Sequence, residues 1–233
     1  MSPRTVTGIA FDLDGTLVDS AADISLAINA MLATHGVPAQ RVRYVEQFIG
    51  EGTRKLVAGV YAGLGIEVSG ERLDADTRTY LANYAQHPVV HSSLYADARA
   101  GLAALAGRDV VLGVCTNKTQ RMAEAVLAGL GLADLFDAVV GADSVPAGKP
   151  AAGHLLSTLE RMGTPVEQAL FVGDTDVDVE CSRRAGVPLV LVEWAPARVD
   201  PEAAPRIGRF AELLNLLDAG LPAFRPAPPL RQA

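Results

Sequence analysis

Beyond residue 91 the chain alternates short apolar runs with stretches of helical period, and that alternation constrains its fold more than any other feature. Ala98 to Ala106 has helical spacing, and Val110 to Cys115 is a β-branched apolar run. Thr119 to Leu130 is helical and Ala138 to Val140 a short strand. The pattern repeats through Ala151–Met162 (helix), Ala169–Val172 (strand), Val179–Ala185 (helix), Leu189–Val192 (strand) and Ile207–Leu217 (helix). Strands that alternate with helices form a parallel sheet, and continuous apolar strands are buried on both faces. One more such run, Val6 to Phe11, lies near the N-terminus, separated from its sisters by a long block of helical signals.

In that block, Ser20 to His35 reads as a helix. Ser20 and Asp23 have capping-box spacing, Ile24, Ile28, Met31 and Leu32 recur at helical period, and Gly36 and Pro38 stop it. A second helix presents Leu56, Val57, Val60, Tyr61 and Leu64 on one face, and a third covers Leu73 to Gln86. The expected architecture is α/β: a doubly wound parallel sheet, Rossmann-like, with an inserted all-helical cap. The core is expected from residues 1–16 and 92–221, the cap from 17–91, and a loose Pro-rich tail from 222–233.

Composition narrows the partners. With 49% apolar and 20% charged residues in 233, the chain suits a soluble globular protein with a sizeable core. A net charge of −7 disfavours nucleic acid and anionic membranes, and requires local positive charge wherever an anion binds. No apolar run is long enough to span a bilayer. The first strand starts within a few residues of the N-terminus, so no signal peptide is expected. Cys115 and Cys181 form no CxxC pattern and are expected as reduced thiols in a cytoplasmic protein.

In open α/β sheets, ligands bind beyond the C-terminal ends of the strands. The residues that follow each apolar run are therefore the candidates. After the first run come Asp12, Asp14 and Gly15. After Val110–Cys115 come Thr116, Asn117 and Lys118. Lys149 follows the short strand, and Asp174, Asp176 and Asp178 follow Ala169–Val172. Taken alone, each has an ordinary reading as a turn, a helix cap or a solvated loop. Asp12 and Asp14 leave a strand two residues apart, on one side. Two such carboxylates demand a shared proton or a hard cation with oxygen ligands, usually Mg²⁺.

The string Asp12-Leu13-Asp14-Gly15-Thr16-Leu17-Val18-Asp19 resembles the first motif of the haloacid dehalogenase-like superfamily, in its phosphate-ester branch. Thr116 matches the second motif, Lys149 the third, and Asp174 with Asp178 the fourth, and the helical block matches that superfamily's cap. The nearest subfamily is the phosphoglycolate phosphatases. The resemblance implies Asp12 as nucleophile and Asp14 as acid and base. It implies Mg²⁺ on the Asp12 carboxylate, the Asp14 backbone carbonyl and the Asp174 carboxylate, with Asp178 behind them. Thr116, Asn117 and Lys149 would hold the phosphoryl group. The dehalogenase branch lacks an acid at position 14. A sugar-phosphate or amino-sugar-phosphate phosphatase, a β-phosphoglucomutase-like mutase and a non-catalytic binding protein are the alternative readings.

The substrate, a small phosphorylated metabolite, is expected to meet Thr53, Arg54 and Lys55 at a helix N-terminus, and Lys118. A monomer or homodimer is expected. Three departures from the family pattern stand in Lys149-Pro150-Ala151-Ala152, Tyr95-Ala96-Asp97 and Trp194-Ala195-Pro196. They bear on phosphoglycolate as substrate rather than on phosphatase chemistry.

Overall fold

The computed structural model describes residues 5–194, 199–200 and 202–219. The expected tail 222–233, and Ala195 and Pro196, lie outside the described residues. A six-stranded parallel sheet forms the core. Its strands are β1 (Gly8–Phe11), β4 (Val111–Thr116), β5 (Ala138–Gly141), β6 (Ala169–Gly173), β7 (Leu189–Val192) and β8 (Arg206–Ile207), in the order β5-β4-β1-β6-β7-β8. Ala10 of the central strand faces Gly113 on one side and Phe171 on the other.

Alternation along the strands feeds two apolar layers. Ile9, Phe11, Leu112, Val114, Leu170 and Val172 pack against α5 (Ala98–Ala106), α6 (Gln120–Gly129) and α9 (Phe210–Ala219). Ala10, Cys115 and Phe171 pack against α7 (Ala152–Met162) and α8 (Asp176–Ala185). Each large side chain so buried contributes about 1.5–3 kcal/mol relative to exposure. Both cysteines are free and buried.

Four helices lie between residues 20 and 92: α1 (Ala21–Ala33), α2 (Val42–Glu46), α3 (Thr53–Gly63) and α4 (Gly70–Gln86). The short α2 was not legible as a helix, because one turn carries no period. The expectation that residues 17–90 hold no strand is corrected by β2 (Val18–Asp19). It pairs antiparallel with β3 (Ser93–Leu94), so the two chain crossings between helical block and core run side by side. A two-residue strand leaves no alternation to read.

The expected capping box at Ser20 and Asp23 does not form. Ser20 Oγ donates to Asp14 instead. The Asp23 carboxylate accepts the backbone N–H groups of Val90, His91 and Ser92 and the Ser92 hydroxyl. Tertiary partners outcompete the local cap, and they clasp the start of α1 to the returning chain. The last helix begins at Phe210 rather than Ile207, because Arg206 and Ile207 extend the sheet beside β7.

Candidate active site

The C-terminal ends of β1, β4 and β6 meet at one edge of the sheet. Asp12 follows β1 directly, its N–H donating to Val172 O at 2.8 Å. Three residues on, Gly15 turns the chain with φ +91, where a Cβ would lie 2.3 Å from Asp174 Oδ2. Only glycine lets the two segments approach so closely. Thr16 Oγ1 donates to the other Asp174 oxygen at 2.8 Å.

Lys149 lies on the loop before α7, with 1% of its side chain exposed. Its Nζ is 2.7 Å from Asp12 Oδ1 and 2.6 Å from Asp178 Oδ1. Asp178 Oδ2 accepts the N–H groups of Asp174 and Thr175 and the Thr175 hydroxyl. Burial alone would lower the Lys149 ammonium's pKa, but the charges of Asp12 and Asp178 outweigh it and hold it well above the usual lysine value. Burial pushes the Asp12 carboxyl up to about 6 against the pull of Lys149. Burial, then Asp12 and Asp178, raise Asp174 well above the carboxylate range.

One carboxylate oxygen each from Asp12, Asp174 and Asp178 lie within 4.8 Å of one another. A single ammonium does not neutralise three carboxylates; burial first, and then their mutual repulsion, raises Asp12 and Asp174. The donor set is entirely oxygen, which suits a hard divalent cation. Asp178 has both oxygens engaged, whereas the Asp14 backbone carbonyl accepts no hydrogen bond among the described residues. The residues present therefore fit the expected set of Asp12, the Asp14 carbonyl and Asp174, with Asp178 supporting them.

Thr116 ends β4 and Asn117 follows it. Asn117 Nδ2 donates to Gly50 O at 3.0 Å and to Lys149 O at 2.9 Å, tying the helical block to the Lys149 loop. Lys118 Nζ is 2.9 Å from both oxygens of Asp14 and 4.7 Å from the centre of the Tyr84 ring on α4. Between sheet and helical block lies a cleft reached by Asp12, Asp14, Thr116, Asn117, Lys118 and Thr53.

Arg54 and Lys55, also expected as substrate contacts, do not line this cleft. Arg54 pairs with Asp74 and Lys55 with Glu51 on the exposed surface. Successive residues in a helix's first turn point some 100° apart, so Thr53 facing the cleft turns its neighbours outward. Sequence reasoning missed His154. Its Nδ1 accepts the Lys149 N–H at 3.1 Å and its Nε2 donates to Val140 O at 3.0 Å. Burial lowers its pKa to about 4. A histidine in a helical apolar pattern carries no signal of that role. It also missed Ser20, Tyr80 and Tyr84 around Asp14 and Lys118.

Comparison with known proteins agrees with this geometry. The profile of the family described as haloacid dehalogenase-like hydrolase matches residues 9–192. A phosphoglycolate phosphatase of Rhodospirillum rubrum is 37% identical over 214 residues, covering 90% of this chain and 89% of its own. One from Aquifex aeolicus is 35% identical, covering 93% and 99%. The crystal structure of a predicted phosphoglycolate phosphatase from Haemophilus somnus superposes with a TM-score of 0.81 at 27% identity, covering 91% and 97%. The chain belongs to the haloacid dehalogenase-like hydrolases. It is an enzyme of that family, on the side of it that the phosphoglycolate phosphatases occupy.

Proposed function

We propose that the protein is a Mg²⁺-dependent phosphomonoesterase working through an aspartyl-phosphate, with 2-phosphoglycolate as its substrate. The observation that carries the reading is Asp12, 3% exposed at the end of the central strand and held by Lys149 beside Asp174. A carboxylate so placed is a nucleophile with one fixed line of attack.

In the first half-reaction an Asp12 oxygen bonds to phosphorus as the ester P–O bond breaks. Asp14 gives its proton to the departing alkoxide. In the second, Asp14 takes a proton from water as the water oxygen bonds to phosphorus, and the Asp12–phosphorus bond breaks to release phosphate. Thr116, with backbone N–H groups by Asn117, holds the transferring oxygens, and Lys149 balances the charge of nucleophile and phosphoryl group. Mg²⁺, held by Asp12, the Asp14 carbonyl and Asp174, supplies charge neutralisation that an acidic site cannot otherwise offer a phosphate. The two buried free thiols support a cytoplasmic, reducing setting.

Phosphate release from 2-phosphoglycolate, several sugar phosphates and a nucleotide monophosphate, with Mg²⁺ and with EDTA, tests the reading. Mg²⁺-dependent release led by 2-phosphoglycolate is expected. Release led by a sugar phosphate would overturn the substrate and keep the chemistry. No release from any ester would overturn the phosphatase.

A further inference from the structure

In the resting arrangement the acid–base residue is not free. Lys118 Nζ engages both Asp14 oxygens, and Ser20 Oγ donates to one of them. Oδ1 thus accepts two donors and Oδ2 one, so the carboxylate is held toward Lys118 and Ser20. Lys118 is also the one cation among the described residues that line the cleft, Arg54 and Lys55 being turned away. Its ammonium is nearly buried, with 6% of the side chain exposed, and it sits over the Tyr84 ring. A buried ammonium keeps an anionic partner wherever it moves, because an unpaired charge there is costly.

The wall opposite is built to receive an anion. Tyr80, on α4, is 3% exposed and lines the cleft, yet its hydroxyl makes no hydrogen bond among the described residues. The N-terminus of the eleven-residue α3 opens on the same cleft through Thr53. Its N-cap is Gly52, which offers no side-chain cap to the first N–H groups.

From this we infer that Lys118 is a specificity-determining residue that exchanges partners. An anionic group on the leaving alcohol takes the Lys118 ammonium over from Asp14, with the Tyr80 hydroxyl and the α3 N–H groups beside it. The exchange itself replaces one ion pair by another and changes no covalent bond. It frees the Asp14 carboxylate, ionised while paired, which takes one proton from solvent before giving it to the ester oxygen. A neutral leaving group makes no such exchange and leaves Asp14 held. Substrate recognition and release of the acid are thus one event. The inference rests on the phosphatase reading above and adds to it how the carboxylate of 2-phosphoglycolate is read.

The test compares 2-phosphoglycolate with its neutral amide, 2-phosphoglycolamide, in the wild type, Lys118→Met and Lys118→Arg. The wild type is expected to favour the acid by roughly 10²-fold in kcat/KM, the scale of one charge-assisted pair. The advantage should appear in kcat as well as KM, since freeing Asp14 acts on the chemical step. Lys118→Met should lose at least about tenfold of that ratio, with the loss falling on the acid. Lys118→Arg should restore most of it. A ratio unchanged in Lys118→Met, or an advantage confined to KM, would overturn the exchange. Wild type hydrolysing both esters equally would overturn it and leave the phosphatase standing. No phosphate from either ester would overturn both.

Discussion

Lys149 Nζ lies 2.7 Å from Asp12 Oδ1, with 1% of the lysine side chain and 5% of the aspartate's exposed to solvent. That pair, completed by Asp178 at 2.6 Å, ties the loop before α7 to the end of β1 and gives the proposed nucleophile a fixed orientation. Removing the ammonium leaves Asp12 and Asp178 buried without their cation. Lys149→Met is expected to lower kcat/KM by roughly 10²–10³-fold. It should also cost about 3–5 kcal/mol of stability, the usual result of breaking a buried pair from one side. Steady-state kinetics and urea unfolding check the two halves.

Asp178 stands in the carboxylate cluster with both oxygens already engaged by Lys149, Thr175 and the Asp174 N–H, so its loss should weaken metal binding without abolishing it. For Asp178→Asn, the Mg²⁺ concentration giving half-maximal activity is expected to rise about 10–100-fold. Mg²⁺ titration of EDTA-treated enzyme measures it. Activity unresponsive to Mg²⁺ at any concentration would place Asp178 among the direct ligands.

His154 gives the fold a pH dependence of definite sign. Burial holds its pKa near 4, below the ordinary 6.5, and its neutral Nδ1 accepts the Lys149 N–H. Between those values the unfolded chain takes up a proton that the folded protein refuses. Stability therefore falls as pH drops through this window, by about 2 kcal/mol from pH 6.5 to 5. Urea unfolding of wild type and His154→Gln at both pH values isolates the contribution, and the variant should show a shallower decline.

Asp23 links the two crossings of the chain between sheet and helical block. Its carboxylate accepts three backbone N–H groups, from Val90, His91 and Ser92, and the Ser92 hydroxyl. Burial alone would raise its pKa, but these hydrogen bonds prevail and lower it. Their stabilisation is full above the ordinary aspartate pKa of about 4 and is lost as pH falls through the lower, folded value. Asp23→Asn keeps the shape but not the charge. It should lose about 1–3 kcal/mol near neutral pH, read by thermal or urea unfolding.

Arg54 and Lys55 are the control. Both are more than half exposed and paired on the outer surface. Alanine at either position should leave kcat/KM within about twofold, since surface pairs contribute little. A larger loss would return them to the site.

The parts of the fold that recur are legible in the amino-acid sequence. The core-sheet strands β1, β4, β5, β6 and β7 are apolar runs, and burial on both faces leaves that mark in the residues themselves. The convergence of Asp12, Thr116, Lys149 and Asp174 followed from the rule for open sheets, because a parallel sheet has one C-terminal edge. What stayed hidden depends on contacts between distant segments. Ser20 and Asp23 carry the local signature of a helix cap, yet bond to Asp14 and to residues 90–92. Arg54 and Lys55 sit beside Thr53 in sequence, but helical rotation separates them. Nothing in the string Thr116-Asn117-Lys118 reveals that its lysine grips Asp14 across 104 residues.

The most direct test of the central claim is phosphate release from 2-phosphoglycolate by Asp12→Asn beside the wild type, in saturating Mg²⁺. If Asp12 is the nucleophile, turnover should fall by at least about 10⁴-fold while circular dichroism and melting stay those of a folded protein. Turnover within tenfold of wild type in a folded Asp12→Asn would contradict the account.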